Sequence, residues 1–149
     1  MIASSVWVTH SIVTAVTLLA VVLSVILHYE VLTWLMRTLR HVRIPPRPRI
    51  LLLIFSILCI HIVQIWIFGG AYFWLIQDVG RGALMASSPV GLLDCVYFSA
   101  VCFTTLGLGD MFPIGAIRFM TGAEALCGLV LITWSGSFTF VEMQRFWKQ

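Results

Sequence analysis

The chain has 149 residues, of which 60% are hydrophobic and 10% are charged, and its formal net charge at pH 7 is +3. A soluble domain usually carries about 25% charged residues, so this chain has too few charges to solvate the surface of a soluble globule. The composition excludes a soluble enzyme, a nucleic-acid-binding protein and a disordered tail. It predicts an integral membrane protein that lies within the lipid bilayer almost entirely, without a soluble ligand-binding domain.

Three apolar runs are long enough to cross a bilayer, because a helical span needs about 20 residues. They cover Val6 to His28, residues 50–76 and residues 117–141. A semi-apolar segment at residues 90–104 is too short to span and is predicted to be a re-entrant helix that starts at Ser88-Pro89. We therefore expect an all-α membrane protein with three transmembrane helices and one re-entrant helix.

The basic residues predict the orientation in the membrane. Five of the nine Lys and Arg residues lie between Arg37 and Arg49, in the segment that joins the first two spans. The positive-inside rule places this segment in the cytoplasm, the N-terminus outside and the C-terminus inside. Setting the topology is one role for the Arg37–Arg49 segment, and binding anionic lipid headgroups is a second.

The segment after the re-entrant helix, Thr105-Leu106-Gly107-Leu108-Gly109-Asp110, indicates function. Glycines at alternating positions permit backbone angles that other residues avoid, so successive carbonyl groups can point to the same side. Four copies around an axis would form stacked rings of oxygens that replace the hydration shell of a cation. The preceding helix would direct the negative end of its dipole to the same place. The pattern therefore predicts a cation pore.

This motif resembles the pore module of potassium channels, together with Tyr97-Phe98 before it and Phe112-Pro113 and Arg118 after it. The resemblance implies an N-terminal helix and basic loop in residues 1–49 and a pore domain in residues 50–149. The pore domain would contain an outer helix (50–76), a pore helix (90–104), a filter (105–110) and an inner helix (117–141).

The resemblance also implies the site and the assembly. The chain would form a homotetramer in the cell membrane that conducts K⁺ passively, with no enzymatic activity and no cofactor besides the permeant ions. Thr105, Leu106, Gly107 and Leu108 would coordinate K⁺. Gly109 would complete the filter, with Thr104, Asp110 and Tyr97 as supporting residues.

Two positions depart from the family pattern. Leu108 stands where the family usually has Tyr, and its side chain cannot form the hydrogen bond of a tyrosine hydroxyl. Val101 stands where some members have a Glu that pairs with the Asp after the filter, so Asp110 needs another partner, such as the Tyr97 hydroxyl. Two alternatives therefore stay open: a weakly selective monovalent cation channel, and a non-conducting accessory membrane protein.

The inner helix contains candidates for a hinge and a gate. Gly128 lies where the resemblance places a hinge glycine, although close packing against a neighbouring helix explains it equally well. Ile132, Gly136 and Phe140 follow Gly128 at intervals of four residues, so the four share one helix face. We expect this face to line the ion cavity, with an apolar constriction at Phe140.

Polar residues inside the spans are the remaining candidates, because burying them in a membrane is costly. Glu124 is expected to hydrogen-bond to the back of the pore helix or to hold a proton. His61 and Gln64 are expected to form hydrogen bonds between helices, with proton sensing by His61 as the alternative. The first span carries a polar stripe that consists of His10, Thr14, Thr17, Ser24 and His28. We expect this stripe to pack on the channel core or on a neighbouring subunit.

Overall fold

The computed structural model describes the backbone of residues 2–41 and 45–147, so Arg43 and Lys148 lie outside the described residues. The described residues form four α-helices: α1 (Ile2–His41), α2 (Pro46–Leu75), α3 (Leu92–Phe103) and α4 (Arg118–Trp147). Three helical segments are long and apolar enough to cross a membrane: Val6–Leu39, Pro48–Leu75 and Gly115–Gln144. The prediction of a helical membrane protein with three candidate spans and one shorter apolar helix is confirmed.

Helix α1 extends beyond the apolar run from which it was predicted. The run ends at His28, whereas the helix continues to His41 because this stretch contains no glycine or proline to end it. In this extension Leu32, Leu35 and Leu39 are spaced three and four residues apart and lie on one side of the helix. They are buried against Leu53 and Ile57 of α2. Arg37 therefore lies in helix α1, whereas the sequence suggested a loop.

Helix α3 packs between α2 and α4, and α1 packs on the outer side of these two helices. The side chains that fill the centre are large and fully buried: Phe68 and Tyr72 from α2, Phe103 from α3 and Met120 from α4. Val13 and Ala20 of α1 join the same core. The short helix is thus held between α2 and α4, which fixes the start of the segment that follows it.

The predicted start of the short helix is wrong. Helix α3 begins at Leu92, with Gly91 as its N-cap residue, and not at Ser88-Pro89. The Gly91 N–H donates a hydrogen bond of 2.7 Å to Oδ2 of Asp94, so the Asp94 carboxylate satisfies a backbone donor before the first turn.

A two-stranded antiparallel sheet was not predicted. Strand β1 (Ala83–Met85) pairs with β2 (Phe112–Ile114), and Leu84 lies opposite Pro113. The sheet joins the segment before α3 to the segment that follows the glycine-containing loop. Residues 104–111 are therefore held at one end by α3 and at the other end by β2.

Candidate ion-conduction site

The loop starts in a turn whose backbone groups are hydrogen-bonded. Thr104 donates from its N–H (3.1 Å) and from its hydroxyl (2.7 Å) to the Ala100 carbonyl. The Thr105 N–H donates to the Cys102 carbonyl at 2.9 Å, and the Leu106 N–H donates to the Val101 carbonyl at 3.0 Å. The chain therefore leaves α3 in a defined direction, directly from the carbonyl end of the helix.

The backbone of the loop alternates between two conformations. Thr105, Gly107 and Gly109 have φ angles of 58°, 60° and 81°, whereas φ is negative at Leu106 and Leu108. The left-handed region is uncommon for a residue with a Cβ atom, so Thr105 is held there by its surroundings. This alternation allows successive carbonyl groups to face the same side.

The side chains of the loop are exposed on the single chain, from Thr104 to Asp110. Leu106 is 62% exposed and Leu108 is 58% exposed. A Cβ atom added at Gly107 or Gly109 would meet no atom within 4 Å. One chain therefore leaves both faces of this loop accessible to other molecules.

A hydrogen bond fixes the outer end of the loop. The Tyr97 hydroxyl donates to Oδ2 of Asp110 at 2.8 Å, which is the partner that the sequence suggested for Asp110. This hydrogen bond raises the pKa of the Tyr97 phenol above its ordinary value of 10.0. The phenol therefore keeps its proton, and the bond links α3 to the residue that follows Gly109.

Comparison with known families decides the class of protein. A family model described as an ion channel matches residues 50–145, which is well over half of the chain. The chain belongs to the pore-loop ion channel family. This family comprises two-transmembrane, pore-loop potassium channels and is not a family of enzymes. No curated protein and no solved structure matches the chain.

The matched region of the channel contains most of α2, all of α3 and the loop, and most of α4, and the whole of α1 lies outside it. The remaining predicted site residues lie on α2 and α4, behind the loop and further along α4.

Gly128 lies against the end of α3. A Cβ atom at this position would overlap the carbonyl group of Phe103 and would approach the Phe103 Cα atom to 2.9 Å. Glycine at 128 thus allows the backbone of α4 to contact the backbone of α3. Of the two roles considered for Gly128, the observed contact corresponds to close packing.

Glu124 and Ser99 are in contact behind the loop. Both residues are fully buried, and the Ser99 Oγ atom lies 2.5 Å from Oε1 of Glu124. The Ser99 Oγ also lies 2.9 Å from the Ile65 carbonyl oxygen. This group connects α2, α3 and α4 on the side of α3 that faces away from the loop.

The predicted gate residues Ile132, Gly136 and Phe140 line one cavity of about 400 Å³ between α2 and α4. All three are exposed, whereas Gly128 of the same predicted face is buried. His61 and Ser135 line the same cavity. The face predicted to form the gate therefore adjoins the polar side chains His61 and Ser135.

His61 and Gln64 each form a hydrogen bond to a residue of another helix. The sequence did not predict either contact. Gln64 hydrogen-bonds to His28 of α1, and His61 hydrogen-bonds to Ser135 of α4. His28, Thr17 and Ser24 of the predicted polar stripe are fully buried, whereas His10 is exposed. The spacing of the stripe indicated His28, but nothing in the sequence distinguished Ser135 from the other small residues of α4.

Proposed function

We propose that the protein is a passive, potassium-selective channel and that residues 105–109 are its filter. The observation that carries this proposal is the alternation of left-handed residues at Thr105, Gly107 and Gly109, directly after the carbonyl end of a short buried helix. Backbone of this kind at membrane depth is tolerated where it lines an aqueous path. Rings of carbonyl oxygens then replace the hydration shell of the ion.

The filter that we propose is shared by four identical chains. One chain supplies a single exposed ribbon of carbonyl groups, which cannot surround an ion. The exposed Leu106 and Leu108 side chains also need apolar partners that the single chain does not provide. Fourfold assembly would enclose the ion and would cover these side chains with neighbouring subunits.

The orientation that we propose follows from the positive charges. Arg37 near the end of α1 and Arg49 in the first turn of α2 lie on the same side of the bundle as the end of α4, where Arg49 pairs with Glu142 at 3.7 Å. This side would face the cytoplasm, with the N-terminus and the sheet outside. The lipid bilayer is the environment, and anionic headgroups are the proposed partners of the Arg37–Arg49 segment.

Leu108 favours a second candidate function, a weakly selective monovalent cation channel. Its exposed aliphatic side chain offers no hydrogen bond that would hold the filter at the diameter of a dehydrated K⁺ ion. The support for the potassium-selective proposal is the hydrogen bond between Tyr97 and Asp110, which restrains the same loop from its outer end.

Ion flux into liposomes tests whether the loop conducts. Purified protein should take up K⁺, and Gly107→Ala should abolish uptake because alanine resists a φ of 60°. Gly70→Ala is the matched control, because an added Cβ there meets no atom within 4 Å in the regular helix α2. Equal flux through the Gly107→Ala and wild-type proteins would overturn the proposal. Absence of flux from the wild type would indicate an accessory protein.

A further inference from the structure

Four side chains from three helices form a closed ring of hydrogen bonds in the middle of the spans. Gln64 Nε2 lies 3.2 Å from Nδ1 of His28, and Gln64 Oε1 lies 2.9 Å from Nδ1 of His61. The Ser135 Oγ atom lies 3.2 Å from Nε2 of His28 and 3.2 Å from Nε2 of His61. We call these four residues the histidine ring. They link α1, α2 and α4.

The donors and acceptors of the histidine ring allow one arrangement of protons. Gln64 Nε2 also donates to the Ser24 carbonyl at 3.1 Å, which fixes the amide orientation and makes Nδ1 of His28 an acceptor. His28 then donates from Nε2 to Ser135, Ser135 donates to Nε2 of His61, and His61 donates from Nδ1 to Gln64. Each of these donors meets an acceptor when both histidines are neutral and in these opposite tautomers.

A further proton breaks the ring at either histidine. On His28 it would place an N–H against the amide N–H of Gln64. On His61 it would place an N–H against the Ser135 hydroxyl, which would have to turn its own proton away. His28 is fully buried, whereas His61 is partly exposed and lines the cavity of about 400 Å³. His61 is therefore the site that a proton reaches from the cavity.

The histidine ring contacts both parts of the conduction path. The His61 ring centroid lies 5.7 Å from that of Phe103, the last residue of α3 before the loop. Ser135 directly precedes Gly136, which lines the cavity with Phe140. A change in the ring thus acts on the support of the filter and on the middle of the inner helix.

We propose that the histidine ring is a proton-binding switch that couples α1 to the pore. In the neutral state the ring ties α4 to α1 and α2, away from the proposed pore axis, and the channel conducts. Proton binding at His61 opens the ring and releases α4 toward the axis, which lowers conduction. This inference rests on the proposed channel function.

The groups that face His61 leave its charge unbalanced. From α1 it faces His28, from α4 the Ser135 hydroxyl, from α3 the Phe103 ring, and on its own helix Gln64. Two acidic groups on α4 have other contacts: Glu124 is bonded to Ser99, and Glu142 pairs with Arg49. A protonated His61 therefore gains more from water in the cavity than from the closed ring.

Potassium uptake into liposomes at two pH values tests the switch. Acidification from about pH 7.5 to about pH 4.5, which extends below the ordinary titration range of histidine because the closed ring resists a further proton, should lower wild-type flux about fivefold. His61→Gln should remove this dependence, and His10→Gln, at an exposed position on α1, should keep it. The switch would be overturned if the K⁺ flux of the wild type did not change with pH. It would also be overturned if the flux of His61→Gln still fell on acidification.

Nitrogen NMR of histidine-labelled wild-type protein in liposomes tests the ring without any variant. Near neutral pH the spectrum should contain one histidine protonated at Nδ1, which is His61, and one protonated at Nε2, which is His28. Two identical tautomers at these positions would contradict the ring. Wild-type protein without K⁺ flux at any pH would overturn the channel proposal itself, and the switch with it.

Discussion

The Ser99 hydroxyl lies between two oxygens, at 2.5 Å from Oε1 of Glu124 and at 2.9 Å from the Ile65 carbonyl. A hydroxyl has one proton to donate, and the Ile65 carbonyl can only accept. The Ser99 hydroxyl can therefore donate to only one of the two oxygens at a time. If it donates to Ile65, the Glu124 carboxyl group is the donor to Ser99, which requires a protonated Glu124 and avoids a buried charge behind the filter.

Replacement of Glu124 tests this proton assignment. Glu124→Gln keeps a donor toward Ser99 and should unfold within about 1 kcal/mol of the wild type. Glu124→Ala removes the donor and leaves a space, so it should lower the free energy of unfolding by about 2 to 4 kcal/mol. Thermal unfolding of the purified protein in detergent gives both values. Equal destabilisation by the two substitutions would show that Glu124 is not a donor.

Gly128 should be intolerant of a methyl group. Gly128→Ala places a Cβ atom on the backbone of Phe103, so α4 and α3 must separate, at a cost of about 1 to 3 kcal/mol in the free energy of unfolding. Gly122→Ala on the same helix is the control, because its Cβ meets no atom within 4 Å. This control should be neutral or stabilising by up to about 1 kcal/mol. A stable Gly128→Ala protein would indicate a hinge role without close packing.

Tyr97 should slow the collapse of the filter. Tyr97→Phe removes the hydroxyl that donates to Asp110, so current through a planar bilayer should decay faster at steady voltage. Tyr29→Phe, at an exposed tyrosine on α1, should leave the decay unchanged. Identical decay in the Tyr97→Phe and wild-type proteins would contradict a supporting role.

The hydrogen bond between Tyr97 and Asp110 should support the filter only up to a certain pH. The hydrogen bond raises the pKa of the Tyr97 phenol. The bond therefore contributes fully to the stability of the folded loop below about pH 10, the ordinary pKa of a phenol. It is lost as the pH rises through the raised value. The current decay of the wild type should therefore approach that of Tyr97→Phe only in strongly alkaline solution.

The elements that the sequence predicts well are those set by local composition. Hydropathy indicates three spans and one shorter helix, and the alternating glycines indicate the unusual backbone at Gly107 and Gly109. The end of α1 escapes prediction, because Tyr29 and Glu30 interrupt the apolar run without interrupting the helix. The start of α3 was misplaced because Asp94 competes with Ser88 as a capping residue.

Contacts between distant residues could not be predicted in the same way. Ser135 lies 107 positions from His28 along the chain, and their contact depends on how α1 and α4 are rotated about their axes. Each helix is apolar on most of its surface, so composition does not reveal which side faces a neighbour. The roles of Ser99, Phe103 and Ser135 therefore became visible only in the folded chain.

The reversal potential of the purified channel in a bilayer, with K⁺ on one side and Na⁺ on the other, tests the central claim. If carbonyl oxygens of residues 105–108 select K⁺, the current should reverse far from zero, at a voltage that opposes K⁺ flow out of the K⁺ side. Reversal near zero would contradict potassium selectivity and would favour a channel that conducts both ions.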